Sequence, residues 1–286
     1  MRQAIRSVTG IGLFTAFLAV SVPWATRTEA TEPPARIVSI NLCADQLLMA
    51  LADAGQILSL STFADDPRLS YLHEKALEFR RDAGNAESVV ALRPDVVFAG
   101  RFTRLTTREM LTRLGYRLVL LDAVRSIDDA IAQIRDVATF VGHPERGESL
   151  VAEIEAAQRA ASAAAAHPHS VAFYQRRGYV TGGDTFTSEL LETVGFAYAG
   201  GELAGATGGF VPLERLIADA PDYIVVSSNA TKAEDQGTAL LAHPALAALF
   251  PLERRIALPD RLTVCAGPAT REALRYLAEA TRQLRD

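Results

Sequence analysis

The amino-acid sequence predicts an α/β protein made of two similar halves, each a mostly parallel sheet flanked by helices, with one long helix between them. Three observations carry this expectation. Short apolar runs rich in β-branched residues alternate with longer helical patterns, the signature of βαβ units. An alanine-rich helical stretch of 23 residues, 144–166, separates two sets of such runs. The segment ESVVALRPDVVF at 87–98 returns 127 positions later as ERLIADAPDYIV at 214–225. In both copies a glutamate opens a short helix, Pro-Asp breaks it, and an apolar triplet enters a sheet centre. One copy would be a common helix-to-strand turn; two at corresponding places predict duplicated lobes.

Taken in chain order, residues 36–40 form the first expected strand and 45–54 a helix closed by Gly55. Further strands are expected at Ile57–Ser61, 95–99 and Arg117–Leu121, apolar almost throughout and so covered on both faces. The second set lies at 170–174, Tyr223–Ser227 and Arg255–Leu258. Between the sets, Pro144 stands at a first helical position and His167-Pro168 provides a stop. That helix would reach roughly 35 Å, enough to cross from one lobe to the other. A rigid tie of this kind predicts only a small closing motion. The expected organisation is a signal peptide at 1–30, an N-terminal lobe at 31–142, the inter-lobe helix at 143–167 and a C-terminal lobe at 168–286.

The signal peptide is read from Arg2 and Arg6 ahead of the apolar run 11–22, which is too short to span a bilayer. Cleavage is expected after Ala30 or Ala25, and no cysteine lies nearby for lipid attachment. The expected location is therefore the periplasm, with the mature chain soluble. Removing residues 1–30, which hold three arginines and one glutamate, moves the net charge from −5 to −7. An acidic body argues against nucleic acid and anionic lipid as partners. It also removes Trp24, the single tryptophan.

Together these features resemble the Fe/B12 (class III) periplasmic solute-binding proteins of ABC importers, which carry ferric siderophores, haem or cobalamin. The resemblance rests on RIVSI at 36–40, the repeated unit, the long central helix, GGDTF at 182–186 and LLETVG at 190–195. It covers almost the whole chain after residue 30. It implies two Rossmann-like lobes facing each other across a shallow cleft, in a monomer that passes a metal chelate to permease subunits in the inner membrane. It also implies a surface glutamate on each lobe that docks permease arginines, and the match places these on Glu87 and Glu214. Both are expected in a first helical turn, where the helix dipole favours a carboxylate.

In open parallel sheets, ligands gather beyond the carboxyl ends of the strands. The loops there hold Asn41 and Cys43, Phe63, then Arg101, Phe102 and Arg104 in the first half. The second half offers Tyr174, Gln175, Arg176, Arg177, Tyr179 and Arg261. Arginines converging from both halves of an acidic protein suit an anionic chelate such as a ferric siderophore, because guanidinium groups fork onto carboxylate or catecholate oxygens. The expectation is that Arg101 and one of Arg176 or Arg177 face the cleft. Aromatic side chains there would pack on the chelate's apolar faces.

Cys43 and Cys265 both fall in expected cleft loops, which departs from the family pattern. Three states stay open: free thiols, ranked first; a bridge across the cleft mouth, which would restrain lobe movement; or direct ligation of a metal centre. His73, His143, His167, His169 and His243 abut prolines or helix ends rather than following strands, so no metal site is assigned. Nor is a catalytic site or a resident cofactor: GxSxG, HExxH, CxxC and phosphate-loop patterns are missing, and the glycine-rich stretch 205–209 reads as a loop. A secreted α/β enzyme is the remote alternative. Among chelates, cobalamin and haem rival the siderophore. The lack of a mature tryptophan weighs against a corrin, and haem would need Tyr174 or Tyr179 as an axial ligand.

Overall fold

In the first half, β1 (Ile37–Ser39), β2 (Ile57–Ser61), β3 (Arg81–Asp82), β4 (Val96–Gly100) and β5 (Arg117–Leu121) form a parallel sheet in the order β3-β2-β1-β4-β5. In the second, β6 (Ser170–Phe173), β8 (Ala197–Tyr198), β10 (Tyr223–Ser227) and β11 (Arg255–Leu258) form another, in the order β11-β10-β6-β8. A small antiparallel pair, β7 (Tyr179–Thr181) with β9 (Gly208–Phe210), flanks the second sheet. The computed structural model of the protein describes residues 32–164, 169–230 and 239–284. The expected signal segment and the His167-Pro168 stop lie outside them.

Strand parity explains the burial. Ile37, Val96, Phe98, Val171, Phe173, Tyr223 and Val225 point into one core shared by both halves. Their neighbours Val38 and Val97 enter a second cluster, and Ala172, Tyr174, Ile224 and Val226 a third. Each central strand is thus apolar on both faces, as a covered parallel sheet requires. β5 departs from the expectation of full burial. It is the sheet edge, with no strand beyond it, and Leu120 is 48% exposed.

The long helix between the halves runs over Pro144–Ala164. Its Val151, Ile154 and Ala161 lie in the shared core with Ile134 of the preceding helix (Ile127–Phe140) and Leu274 and Leu277 of the C-terminal helix (Thr270–Gln283). It is a packed tie belonging to both lobes. Among the described residues, no helix is long and apolar enough to cross a membrane.

The repeated unit folds alike in both lobes. A helix over Ala86–Leu92 leads to β4, and one over Leu213–Ala218 leads to β10. The aspartate of each Pro-Asp pair then binds the backbone that opens the neighbouring strand. Asp95 Oδ2 accepts the Ala35 N–H at 3.1 Å beside β1, and Asp222 Oδ2 accepts the Ser170 N–H at 2.8 Å at the start of β6. The aspartate that follows each helix thus pins the lobe's first strand.

Two boundaries correct the sequence expectations. The first helix spans Leu42–Leu51, three residues earlier than expected, because the Asn41 side chain accepts the N–H groups of Cys43 and Ala44. Gly55 falls in a separate 3₁₀ turn, Ala54–Gln56. The stretch 205–209 is only partly a loop, since Gly208 and Gly209 open β9. A Cβ on Gly208 would stand 2.6 Å from the Val180 carbonyl oxygen, so glycine is what lets this strand approach β7.

Candidate functional site

The carboxyl ends of β1, β4 and β5 meet the C-terminal lobe at a pocket of about 200 Å³. Its N-terminal wall carries Asn41, Cys43, Gly100, Arg101, Phe102, Asp122 and Gln133. Phe186 and residues 263–266 face them from the other lobe. Each group has a local reason to be there. Asn41 caps the first helix, and Gly100 must lack a side chain because a Cβ would lie 2.5 Å from Asn41 Nδ2. Phe186 begins the helix Phe186–Thr193, where the Thr185 and Ser188 hydroxyls each accept the other's backbone N–H. The 263–266 loop follows a 3₁₀ turn, Asp260–Leu262, and ends at Gly267, whose φ of +106° few other residues tolerate.

Cys43 and Cys265 form a disulfide with Cα atoms 5.2 Å apart. Of the three open states the bridge is the one found, which corrects the ranking of free thiols first. The residues are brought together because the C-terminal lobe's loop seats on the first helix of the N-terminal lobe: a Cβ on Gly267 would already touch Leu47 at 3.1 Å. Nothing in a separation of 222 residues announces such a contact.

Beneath this floor, Asp45 is fully buried and accepts the Ser61 N–H at 3.1 Å and the Ser61 hydroxyl at 2.5 Å. Burial outweighs these bonds and a further one from Ser39, pushing its carboxyl up to about 6. Glu189 accepts the Ile127 N–H at 2.6 Å across the lobes, and burial, reinforced by Asp128, Asp129 and Glu192, raises its carboxyl too.

Arg101 lines the pocket but is not a free cation: Asp122 holds it at 2.7 and 2.9 Å. Phe102 is 86% exposed at the pocket wall. Neither Arg176 nor Arg177 lines the pocket; both are exposed on a 3₁₀ turn, Arg176–Gly178. Phe63, 55% exposed, and the half-buried Arg261 also stand outside its lining, and Tyr179 donates to the Thr207 carbonyl. Tyr174 corrects the expectation outright. It shares the outward parity of Ala172, is fully buried in the third core cluster, and is not available to a ligand.

The sequence reading placed Cys265 in a cleft loop but missed Asp122, Gln133 and Phe186 as pocket groups, as well as Thr263, Val264 and Ala266 beside that cysteine. Asp122 directly follows β5, so the rule of searching beyond strand ends reaches it. Gln133 sits mid-helix and Phe186 enters through a cap, positions that carry no such signal. Beside the pocket, and sharing Arg101, Phe102, Asp122 and Gln133 with it, a groove of about 790 Å³ runs between β5 and the helix Ile127–Phe140. Phe98, Val119, Val137 and Phe140 lie along it, with Asp129 and Asp136.

Glu87 and Glu214 are exposed in the first turns of their helices, and neither has an ion-pair partner among the described residues.

A family model described as periplasmic binding protein matches residues 37–251. The chain belongs to the periplasmic binding protein family. Members of this family are binding proteins, not enzymes. A cobalamin-binding protein of Halobacterium salinarum is 26% identical over 238 residues, covering 78% of this chain and 62% of that protein. The chain thus spans less than two thirds of that relative's length. The periplasmic heme-binding protein RhuT from Roseiflexus sp. RS-1 superimposes with a TM-score of 0.69 at 26% identity, covering 86% of this chain and 98% of that one. The periplasmic vitamin B12-binding protein BtuF of Vibrio cholerae shares the fold, with a TM-score of 0.67 at 16% identity over 87% of this chain and 97% of that one. The two lobes are accordingly the Rossmann-like pair of this family, joined by the long helix.

Proposed function

We propose that this protein is the periplasmic substrate-binding component of an ABC importer and that it holds a metal chelate of the cobalamin type in the inter-lobe pocket. The observation that carries the proposal is the pocket taken together with the adjoining groove of about 790 Å³ that shares its wall, since a corrinoid needs far more than 200 Å³. The pocket lies beyond the strand ends of both lobes and presents an exposed phenylalanine, the amides of Asn41 and Gln133, the Thr263 hydroxyl and a single arginine. A highly anionic ferric siderophore, ranked first from sequence, would want several unpaired cations, whereas Arg101 is already neutralised by Asp122. A corrinoid is rimmed by neutral amides and has apolar ring faces, which suit Asn41, Gln133 and Phe102. The name of the Halobacterium relative supports the same class. Haem is the weaker reading, since the pocket lining includes no histidine or tyrosine to serve as an axial ligand.

Release to the permease would use Glu87 and Glu214, one on each lobe, both exposed and unpaired among the described residues. Titration calorimetry with cyanocobalamin, haemin and a ferric catecholate siderophore tests the ligand assignment. Saturable one-to-one binding is expected for cyanocobalamin, with weaker or no binding of the other two. Tighter binding of the ferric siderophore would overturn the corrinoid reading, and no binding of any of the three would overturn the chelate class.

A further inference from the structure

The Cys43–Cys265 bridge does more than join two distant positions, because it joins the two lobes at the place where ligand is proposed to sit. Cys43 is in the first turn of the N-terminal lobe's first helix, Cys265 is in the C-terminal lobe's 263–266 loop, and both line the pocket. The inference that follows rests on the pocket being the binding site.

We propose that this disulfide is a covalent clasp that sets the width of the cleft, so that ligand is selected and retained by a preformed site rather than by closure of the lobes around it. Away from the shared apolar core, three further ties between the lobes are polar. Arg125 Nη1 meets Asp184 Oδ2 at 3.3 Å, the Ile127 N–H meets Glu189 at 2.6 Å, and Asn229 Nδ2 reaches the Arg68 carbonyl at 3.4 Å. The Arg125 and Asn229 contacts are exposed, weak singly and, where charged, screened by salt, and the partly buried Glu189 bond fixes only one point. They permit the lobes to part by an ångström or two. The disulfide caps that movement, since its Cα separation, 5.2 Å here, cannot exceed about 6.8 Å.

Both ends of the clasp are stiff. Asn41 caps the helix at Cys43 and Ala44, while Cys265 is buried. Gly267 donates its N–H to the Thr270 hydroxyl at 3.0 Å and leaves its loop seated against Leu47. Asn41, Arg101 and Phe102 on one wall are thereby held at a set distance from Thr263, Val264 and Ala266 on the other. Cys43 and Cys265 act as positioning residues, and the spacing they impose is a selection on ligand thickness. The lobes stay joined without them, because the shared core and the long helix already unite the two halves.

The test compares oxidised protein with protein reduced by a phosphine and with the Cys43→Ser/Cys265→Ser variant. Inter-lobe distance is read by single-molecule energy transfer between labels at Glu109 and Glu253, both exposed and labelled without adding cysteine. The ligand-free oxidised protein should give one narrow distance distribution, and loss of the bridge should broaden it. Cyanocobalamin should dissociate about tenfold faster from the unbridged forms while association changes by less than about threefold. Its preference over haemin should shrink in parallel. A bridge that merely staples the fold would lower the melting temperature and leave these quantities alone. An unchanged distance distribution, or an unchanged dissociation rate, therefore overturns the clasp. If cyanocobalamin binds neither form, the ligand assignment has failed, and the ligand-free distance measurement decides the clasp by itself.

Discussion

Replacing Asp45 with asparagine should remove a pH dependence of stability whose size follows from the structure. Asp45 is fully buried beside the cleft floor, and its described partners are hydroxyl and N–H donors of Ser39 and Ser61 rather than a cation. Withdrawal from water therefore dominates and lifts its pKa from 3.8 to about 6. In the unfolded chain the carboxyl titrates near its ordinary value. Between about pH 4 and pH 6 the folded protein holds a proton that the unfolded chain has released, so stability falls as pH rises through this window. Moving a pKa from 3.8 to about 6 corresponds to about 3 kcal/mol. Asparagine copies the neutral acid: its oxygen still accepts the Ser61 N–H, and its amide donates where the acid proton did. Urea unfolding with the disulfide intact, at several pH values from about 4 to 7, measures the effect. Relative to the native protein, the variant should gain about 3 kcal/mol across that range. A stability difference that stays flat with pH, or that falls, would refute the claim that burial controls this carboxyl.

Other outcomes follow from the same structure. Cys43→Ser/Cys265→Ser should lose up to about 5 kcal/mol, the loop-closure contribution for a separation of 222 residues, measured by calorimetry against the oxidised protein. Asp222→Ala should destabilise by about 1 kcal/mol by freeing the Ser170 N–H and hydroxyl, a figure already reduced for a half-exposed carboxylate. Asp95→Ala, which removes one bond to Ala35, should cost less in the same unfolding assay. Charge reversal at both Glu87 and Glu214 should abolish ligand uptake into cells while leaving ligand affinity unchanged; weakened binding instead would remove the docking role.

Much of the architecture is legible from local pattern. The apolar runs mark β2, β5, β10 and β11 to the residue, β10 because a strand covered on both faces tolerates few polar side chains, β5 in spite of its exposed edge. The Pro-Asp repeat marks the two halves, since proline after a helical run keeps the preceding residue from continuing the helix. Shorter strands escape notice. β3, β8 and β9 are two or three residues long, and the glycines of β9 read as a loop until β7 is seen beside them. The site is less legible than the fold. Loops after strands direct attention to Asn41, Cys43, Arg101 and Phe102, all of which line the pocket, yet the same rule offers Tyr174, which strand parity turns into the core.

By itself, the sequence determined the α/β class, the long tie and the place of the repeated acidic turns, because each is written in the periodicity and breakers of one continuous stretch, and the duplication, because two such stretches match 127 positions apart. Only the tertiary structure decided that Cys43 bonds Cys265, that Asp122 neutralises Arg101, and that Phe186 and the 263–266 loop complete the pocket. The physical reason is that these pairings require two separately built lobes to dock. Docking is set by the summed fit of one shared core and one long helix, which no local pattern of side chains encodes.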